Sequence, residues 1–443
     1  MKCKIGMVSL GCAKNQNDAE IMLGILLQDG CEIVADPSQA DVIIVNTCGF
    51  IESAKRESID AILEMAEYKE DKCRLLIASG CLAERYSEEI AKEIPEVDAI
   101  IGTGDYDRIA EAIKKAFDGE KPIICGHKDR TPEERLPRVL STPPYTAYLK
   151  IADGCDNNCT YCAIPKIRGK FRSRAIDDIV SEAEELAENG VKELILIAQD
   201  TTRYGVDLYG KYSLDSLLEE LVKIEKIQWI RVHYYYTEAI TEGLITTMAK
   251  YDKICNYIDM PIQHINNTIL RRMARRTTRE ETIEKIGMIR EKMSDCTIRT
   301  SIIVGFPGET EEQFNELYEF VKNIRFDRMG VFSYSQEEGT PAAEFENQID
   351  EETKQKRLDA LMTLQQGISL EMNRAKIGNV IEVIVEGYDA DNFLFYGRSR
   401  GDSIDVDGKV YFGTENEVDE GDIIKVKIVD ADEYDLTGQR VEE

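Results

Sequence analysis

Cys155-Asp156-Asn157-Asn158-Cys159-Thr160-Tyr161-Cys162 places three thiols on one short loop, at spacings of four and three residues. Thiolates are soft ligands, and three of them can hold three corners of a [4Fe–4S] cluster while one iron stays open. No fourth cysteine follows nearby. Spacing alone leaves two other interpretations open: a zinc site whose fourth ligand comes from elsewhere in the chain, and three ordinary cysteines.

This loop, residues 155–162, follows the first strand of a repeating β/α pattern. Residues 145–152 are typical of a strand that leads into the loop, and residues 175–189 of a helix with one apolar face. Further strand-like runs follow, separated by helical patterns, at 193–198, 229–233, 257–260, 297–304 and 327–332. Six units are too few for a closed eightfold barrel. They predict a partial (β/α)6 TIM-type barrel with its active site at the carboxyl ends of the strands.

Polar residues and tight turns follow several of these strands and would share one mouth of the barrel. Glycine and proline at 305–308 allow a flat ligand to approach the backbone closely, although each such turn could also be an ordinary loop. We therefore predict cofactor contacts from Gln199, Asp200, Gln263, Gly305, Phe306 and Pro307. Basic stretches at 166–174 and 271–276 are either solvated faces or anchors for a carboxylate, with Arg168 and Arg174 as the candidates.

Three more cysteines end strand-like runs nearer the N-terminus. Cys12, Cys48 and Cys81 follow runs at 5–10, 41–46 and 75–79, and each precedes a helical pattern. Parallel strands bring their carboxyl ends to one edge of an open α/β sheet, so these thiols can meet in space. They predict a second cluster site. The other interpretation is that each is a small buried hydrophobe, which is how we interpret the remaining six cysteines: Cys3, Cys31, Cys73, Cys125, Cys255 and Cys296.

The chain divides into three predicted domains. An N-terminal open parallel α/β domain spans 1–125, a polar, proline-bearing linker spans 126–144, and the partial barrel spans 145–375 and ends in a helix over 350–376. Residues 376–443 form the last domain. Strand-like runs at 380–387, 393–398, 403–407, 410–412 and 423–431 predict a small antiparallel β-barrel there.

Charge and cysteine content limit the partners and the compartment. The net charge of −29 disfavours nucleic acid and anionic membranes as partners and favours a basic protein. Residues 1–6 run directly into a strand-like pattern and no apolar run reaches the length of a membrane span, so we expect neither a signal peptide nor a membrane segment. The 12 cysteines then indicate metal ligands or buried thiols in a reducing cytoplasm.

The thiol loop after a first barrel strand resembles that of the radical S-adenosylmethionine superfamily. Thr160-Tyr161-Cys162-Ala163-Ile164-Pro165, together with Cys12, Cys48 and Cys81, narrows this resemblance to the methylthiotransferases, over essentially the whole chain. The resemblance implies that Cys155, Cys159 and Cys162 bind a [4Fe–4S] cluster whose open iron chelates S-adenosylmethionine. It implies that Cys12, Cys48 and Cys81 bind an auxiliary [4Fe–4S] cluster that handles sulfur. It also implies a C-terminal TRAM domain, an electron donor and a sulfur donor.

One branch of that family modifies an adenosine beside the tRNA anticodon, and another modifies an aspartate of ribosomal protein S-twelve. Stretches at 147–155, 199–207, 259–264 and 334–340 resemble the second branch, whereas Tyr234-Tyr235-Tyr236 departs from its proline-containing run. The tRNA branch typically carries a Gly-Gln-Asn-Val type sequence at the position where Gln199 begins, and a Gln-Ser-Gly sequence at the position of Gln263-His264. This chain departs from both.

The charge of the last domain favours the same branch on physical grounds. Residues 376–443 contain 7 Lys and Arg against 18 Asp and Glu, a net charge of −11, which repels phosphates and suits a basic ribosomal protein. The resemblance therefore implies an enzyme that adds a methylthio group to the β-carbon of an aspartate of that small-subunit protein. The alternatives are a tRNA adenosine methylthiotransferase and a non-enzymatic iron–sulfur protein.

Overall fold

The computed structural model describes residues 2–130 and 136–441, and its N-terminal part is a parallel sheet covered on both faces. The sheet order is β2-β1-β3-β4-β5-β6, with α1 and α5 packed on one face and α2, α3 and α4 on the other. The open parallel α/β prediction is confirmed; the two-residue strands β2 and β6 were not predicted. The elements are β1 (Lys4–Ser9), α1 (Ala13–Gln28), β2 (Glu32–Ile33), β3 (Val42–Thr47), α2 (Glu52–Glu67), β4 (Leu75–Gly80), α3 (Cys81–Arg85), α4 (Ser87–Glu93), β5 (Ala99–Ile101), α5 (Ile109–Phe117) and β6 (Ile123–Ile124).

The central part is the predicted six-unit partial barrel. Its parallel strands form two three-stranded sheets, β7-β10-β11 and β12-β13-β14, which meet where the backbone N–H of Tyr235 donates to the carbonyl of Asp259 at 2.8 Å. The strands are β7 (Thr146–Lys150), β8 (Ala152–Asp153), β9 (Arg172–Ser173), β10 (Glu193–Ile197), β11 (Trp229–Val232), β12 (Tyr257–Asp259), β13 (Thr297–Val304) and β14 (Arg328–Ser333). The helices are α6 (Ile164–Arg168), α7 (Ile176–Glu188), α8 (Val206–Tyr209), α9 (Leu214–Leu221), α10 (Glu242–Lys250), α11 (Asn267–Arg272), α12 (Arg279–Lys292), α13 (Glu311–Ile324) and α14 (Glu351–Arg374).

The C-terminal part is a closed five-stranded barrel of order β15-β16-β17-β19-β18. Its strands are β15 (Val380–Asp389), β16 (Leu394–Ser399), β17 (Val410–Gly413), β18 (Ile423–Ala431) and β19 (Leu436–Arg440). The predicted small barrel is confirmed, with two corrections. The pair β17–β19 is parallel, not antiparallel. The predicted strand at 403–407 is wrong: this segment is a turn, in which the Asp407 carboxylate accepts hydrogen bonds from the Ser403 backbone N–H and the Tyr257 hydroxyl.

The segment predicted as a linker, 126–144, lies between the N-terminal sheet and the central barrel in the sequence. Residues 131–135 lie outside the described residues, and residues 136–144 contain neither helix nor strand. Arg138 in this stretch pairs with Glu20 of α1 at 2.6 Å and with Glu182 of α7 at 2.9 Å, so it ties the two neighbouring parts of the chain together. Across residues 2–130 and 136–441, no helix combines the length and the apolar character that crossing a membrane requires.

A buried carboxylate joins the central barrel to the C-terminal barrel. Glu193, at the start of β10, is fully buried and accepts hydrogen bonds from Arg231 Nε at 3.1 Å and from Arg398 Nη2, on β16, at 2.6 Å. Burial opposes ionisation of this carboxyl, but the two guanidinium groups outweigh that effect and lower the pKa of Glu193 to about 2. The interface therefore depends on an ionised Glu193.

Replacing Glu193 by glutamine is expected to destabilise the fold by about 3–5 kcal/mol, because two buried guanidinium groups lose their shared carboxylate. Because the pKa of Glu193 is lower in the folded protein than its ordinary value of 4.5, the ionised carboxylate stabilises the fold. This stabilisation is fully present above pH 4.5 and is lost as the pH falls towards 2. The wild type should therefore lose stability across that window, and Glu193→Gln should lack this contribution. Urea unfolding across a pH series measures both. Glu188→Gln, which removes only an exposed pair with Lys226, is the control and should cost less than about 1 kcal/mol; equal losses would contradict the account.

Candidate active site

The loop 155–162 lies at the carboxyl end of the first barrel strands and is fixed by backbone hydrogen bonds. The N–H of Cys155 donates to the carbonyl of Gly169 at 3.0 Å, and that of Thr160 to the carbonyl of Met273 at 3.0 Å. Gly154, which precedes the loop, has φ +77 and packs where a Cβ would collide with the carbonyl of Lys170. Only glycine fits there, so the loop conformation follows directly from the sequence.

The three thiols of this loop, which we call the barrel thiols, are largely enclosed. Cys155 and Cys159 are buried and Cys162 is partly buried. Burial raises the pKa of Cys155 to about 12 and raises that of Cys162 as well. These thiols are thus poor nucleophiles at neutral pH and good candidates for metal ligation, since a coordinated thiol loses its proton to the metal. Within the described ranges, no three His, Cys, Asp or Glu side chains are arranged to hold a single metal ion.

Cys12, Cys48 and Cys81, the N-terminal thiols, meet at the carboxyl edge of the first sheet as predicted from its topology. A Cβ on Gly11 would come within 2.9 Å of the Cys48 Cβ, so the turn before Cys12 lies directly against Cys48. Burial raises the pKa of Cys81 to about 12 and also raises that of Cys48. Desolvation acts in the same direction on Cys12, the exposed member of the three, but the cations of Lys14 and Arg168 and the backbone N–H groups that start α1 outweigh it and lower the pKa of Cys12.

The two thiol groups face each other across the interface between the N-terminal domain and the barrel. Helix α6 follows Cys162 and packs on α3, where Cys81 forms a small buried cluster with Ala163 and Ile167. The Thr103 hydroxyl donates to the carbonyl of Ile167 at 2.6 Å, which holds α6 against the N-terminal domain. The sheet edge therefore lies against the barrel mouth, and we call the region between them the shared space.

Four charged side chains form what we call the interdomain charge cluster: Asp18, Lys150, Asp153 and Arg168. Arg168 Nη2 lies 2.9 Å from Asp18, and Arg168 Nη1 lies 3.2 Å from Asp153. Lys150 Nζ lies 2.5 Å from Asp18 and 3.5 Å from Asp153. Burial opposes ionisation of Asp153, but the two cations outweigh it and lower the pKa of this carboxyl well below its usual range. The cluster joins α1 to the end of β7 and lies beside the N-terminal thiols, since Arg168 Nη2 is 3.8 Å from Cys81 Sγ.

Comparison with known proteins agrees with this three-part organisation. Models of the Uncharacterized protein family UPF0004, the Radical SAM superfamily and the TRAM domain match residues 4–102, 149–321 and 377–441. The ribosomal protein uS12 methylthiotransferase RimO of Clostridioides difficile (strain 630) is 54% identical over 98% of each chain. The corresponding protein of Clostridium acetobutylicum is 52% identical over 99% of this chain and 98% of its own. This chain belongs to the RimO family. Both thiol groups lie within the two matched regions that precede the TRAM domain.

Solved structures support the fold of this RimO-family chain. The radical S-adenosylmethionine methyltransferase TsrM from Kitasatospora setae, with tryptophan substrate and a SAM analogue bound, has a TM-score of 0.57 at 13% identity, covering 87% of this chain and 79% of its own. The same enzyme with cobalamin and a [4Fe-4S] cluster has a TM-score of 0.55 at 14% identity, over 75% of each chain. At these identities the likeness concerns the fold alone.

Three of the residues predicted to contact a cofactor lie at the barrel mouth. Gln199 Nε2 donates to Asp153 at 3.0 Å, and its Oε1 is buried without a hydrogen-bond partner within the described structure. Asp200 is buried and accepts a hydrogen bond from Asn157 of the thiol loop at 2.8 Å. Gln263 has φ +69 and is hydrogen-bonded through its backbone to Ser301 and Ile303. The ends of β10 and β12 therefore reach the loop, and Gln199 offers a free acceptor.

The turn Gly305-Phe306-Pro307 is held from inside the protein. The carboxylate of Glu309 accepts hydrogen bonds from the backbone N–H groups of Gly305 and Phe306. The Phe306 ring is fully buried, with its centroid 5.4 Å from that of Tyr334. This ring contributes packing, so any cofactor contact of the turn falls to its backbone and to Pro307.

The two arginines predicted to hold a carboxylate are already paired with carboxylates of the chain. Arg174 Nε lies 2.7 Å from Asp178 and its Nη1 lies 2.6 Å from Glu182, both on α7. Arg168 belongs to the interdomain charge cluster. Sequence reasoning instead missed Lys14 and Arg275, two buried cations beside the thiol groups. In the sequence, Lys14 lies close to Cys12 and Arg275 lies in a basic stretch, and both signals were visible. The burial of these two side chains depends on how the domains pack.

Proposed function

We propose that this chain is a radical S-adenosylmethionine methylthiotransferase that modifies an aspartate of ribosomal protein uS12, with two [4Fe–4S] clusters as cofactors. The observation that carries the proposal is a pair of thiol triplets, one at the edge of the N-terminal sheet and one at the barrel mouth, on the two sides of one domain interface in a RimO-family chain. One triplet alone would suit many iron–sulfur proteins. Two facing triplets suit a reaction that needs radical generation and sulfur transfer at neighbouring positions.

The chemistry of the donor sets supports the proposed clusters. Cys155, Cys159 and Cys162 would hold the cluster that binds S-adenosylmethionine, and Cys12, Cys48 and Cys81 would hold the auxiliary cluster, since three soft thiols leave one iron of each open. When bound, these groups would supply the electron, the radical chemistry and the sulfur. The protein's own part is to bind the reactants, fix their orientation and keep water out.

Several buried polar atoms at the mouth are suited to binding S-adenosylmethionine. Gln199 Oε1 and Arg275 Nε are buried without hydrogen-bond partners within the described structure, and a nucleoside amino acid can satisfy both kinds of group. Asp200 would orient the thiol loop through Asn157. We retain Gln263 and the backbone of the 305–307 turn as further proposed contacts.

The surface of the C-terminal domain favours a basic protein substrate. Eight of its described acidic residues are exposed, whereas its exposed basic residues are Lys409, Lys425 and Lys427. The acidic ones are Asp391, Asp405, Glu415, Glu417, Asp419, Glu420, Asp430 and Asp432. Such a surface attracts a basic ribosomal protein and repels the phosphates of tRNA, in agreement with the activity named for the relatives. We place the reaction in the cytoplasm, where thiols stay reduced, with an external electron donor and an external sulfur donor.

Anaerobic reconstitution with iron and sulfide, followed by reduction in the presence of S-adenosylmethionine, tests the enzymatic character. We expect deoxyadenosine and methionine in equal amounts, measured by chromatography with mass detection. A fully reconstituted and reduced protein that forms no deoxyadenosine would support a non-enzymatic iron–sulfur protein instead. The choice between a protein and a tRNA substrate requires a direct comparison of the two.

A further inference from the structure

Lys14 is a buried ammonium group without a carboxylate partner in the described structure. Arg275 is the other buried cation of this kind among residues 2–130 and 136–441. Each of the remaining buried lysines and arginines lies within 4.0 Å of an Asp or Glu oxygen: Lys150, Arg168, Arg231, Arg328, Lys354, Arg357 and Arg398. Burying an unpaired ammonium is costly, so a site that keeps one is suited to bind an anion.

The position of Lys14 links the two halves of the site. It lies in the first turn of α1, two residues after Cys12, and its Nζ lies 3.4 Å from the centroid of the Tyr234 ring. Tyr234 follows β11 at the barrel mouth. The face of the ring compensates only part of the cost of burying the ammonium. Lys14 therefore stands beside the N-terminal thiols and faces the barrel.

The backbone of Tyr234 is held in an uncommon conformation that fixes this ring. Its φ is +62, a left-handed value that bulky residues rarely adopt. The N–H of Tyr234 donates to Asp259 at 3.2 Å, and its carbonyl accepts a hydrogen bond from the N–H of Thr201 at 3.1 Å. Strained residues held this way concentrate at functional sites.

The nearby carboxylates do not neutralise Lys14. Asp18 and Asp153 are both paired with Lys150 and Arg168 in the interdomain charge cluster, which balances two negative charges with two positive ones. Lys14 lies beside the Cys12 thiol and has no carboxylate partner in the described structure. A substrate that brings one carboxylate into the shared space would balance it.

We propose that Lys14 binds the side-chain carboxylate of the substrate aspartate. This inference rests on the proposed function and adds the residue that recognises the substrate group. In aspartate the carboxylate is bonded directly to the β-carbon, so anchoring it at Lys14 places that carbon beside the N-terminal thiols, on the side of the Tyr234 ring. The same contact rejects an asparagine, which carries no charge.

The test is a binding comparison with the reconstituted holoenzyme and S-adenosylmethionine. The probes are a fluorescent uS12 peptide that spans the target aspartate and the same peptide with asparagine in its place. We expect wild type to bind the aspartate peptide about 10- to 100-fold more tightly than the asparagine peptide, and this ratio of affinities is the quantity compared between variants. Lys14→Met should reduce that ratio to about one, and Lys14→Arg should keep it well above one because the charge remains. Lys170→Met, which removes an exposed lysine, is the matched control and should keep the wild-type ratio.

The iron content of each variant, measured in parallel, distinguishes substrate recognition by Lys14 from a role in holding the auxiliary cluster. Retention of the wild-type ratio by Lys14→Met would overturn the inference. So would a variant that loses iron from the N-terminal site while the ratio stays intact, since Lys14 would then serve the cluster and not the substrate. Deoxyadenosine formation by a wild type that binds both peptides equally would also overturn it, and would leave the proposed radical chemistry standing. A wild type that binds neither peptide and forms no deoxyadenosine would overturn both.

Discussion

Replacing Cys155, Cys159 and Cys162 together by alanine is expected to abolish cleavage of S-adenosylmethionine while roughly half of the iron stays bound, as two independently ligated clusters imply. The barrel thiols and the N-terminal thiols belong to different domains, so each proposed cluster can stay bound when the ligands of the other are removed. Iron and sulfide assays after reconstitution measure the retained fraction, and chromatography measures deoxyadenosine.

The matched variant replaces Cys12, Cys48 and Cys81, and should retain the other half of the iron and lose methylthio transfer. A variant that replaces the buried Cys255, which we interpret as a packing residue, is the control and should keep the full iron content. Complete loss of iron from either triple variant, with the secondary structure intact by circular dichroism, would show that the six thiols do not form two separate sites.

Arg168→Met is expected to destabilise the protein by about 3–5 kcal/mol, because it removes one cation from a buried group of two cations and two carboxylates. Asp18 and Asp153 would then share Lys150 alone. Urea unfolding measures the loss. Adding Asp18→Asn to Arg168→Met should recover part of it, since one lysine and one aspartate would remain in balance.

The control for this prediction is Arg56→Met. Arg56 is exposed, and in the part of the chain that the structure describes its ion pair is with the exposed Glu52, so its replacement should cost less than about 1 kcal/mol. A similar small loss for Arg168→Met, or no recovery in the double variant, would mean that the interdomain charge cluster contributes little to stability.

Local sequence patterns were sufficient for most elements of the fold. The strand-like run at 297–304 coincides with β13, and the helical pattern at 175–189 with α7. The segment 403–407 was misinterpreted because its alternation resembles a strand, whereas its polar side chains bind the central barrel: Ser403 Oγ lies 2.8 Å from His233 Nε2. Strand β19 was missed because its buried positions are Leu436 and Gly438, and glycine carries no hydrophobic signal.

The candidate site was predictable only where chain topology determines it. The six cysteines, Gln199 and Asp200 follow strands, and parallel strands bring their ends together. The pairing of Arg168 with Asp18 joins two domains, and no local pattern encodes such a contact. The same holds for the burial of Lys14 against Tyr234, which depends on how α1 packs against the barrel.

The central claim is that this RimO-family enzyme modifies a ribosomal protein, and a mass comparison tests it most directly. The reduced, reconstituted enzyme is incubated with S-adenosylmethionine and either uS12 or tRNA that lacks methylthio groups, and both products are digested and analysed by mass spectrometry. We expect one aspartate of uS12 to exchange a hydrogen for a methylthio group and the tRNA to stay unchanged. A methylthio group on a tRNA adenosine, with uS12 unmodified, would contradict the account.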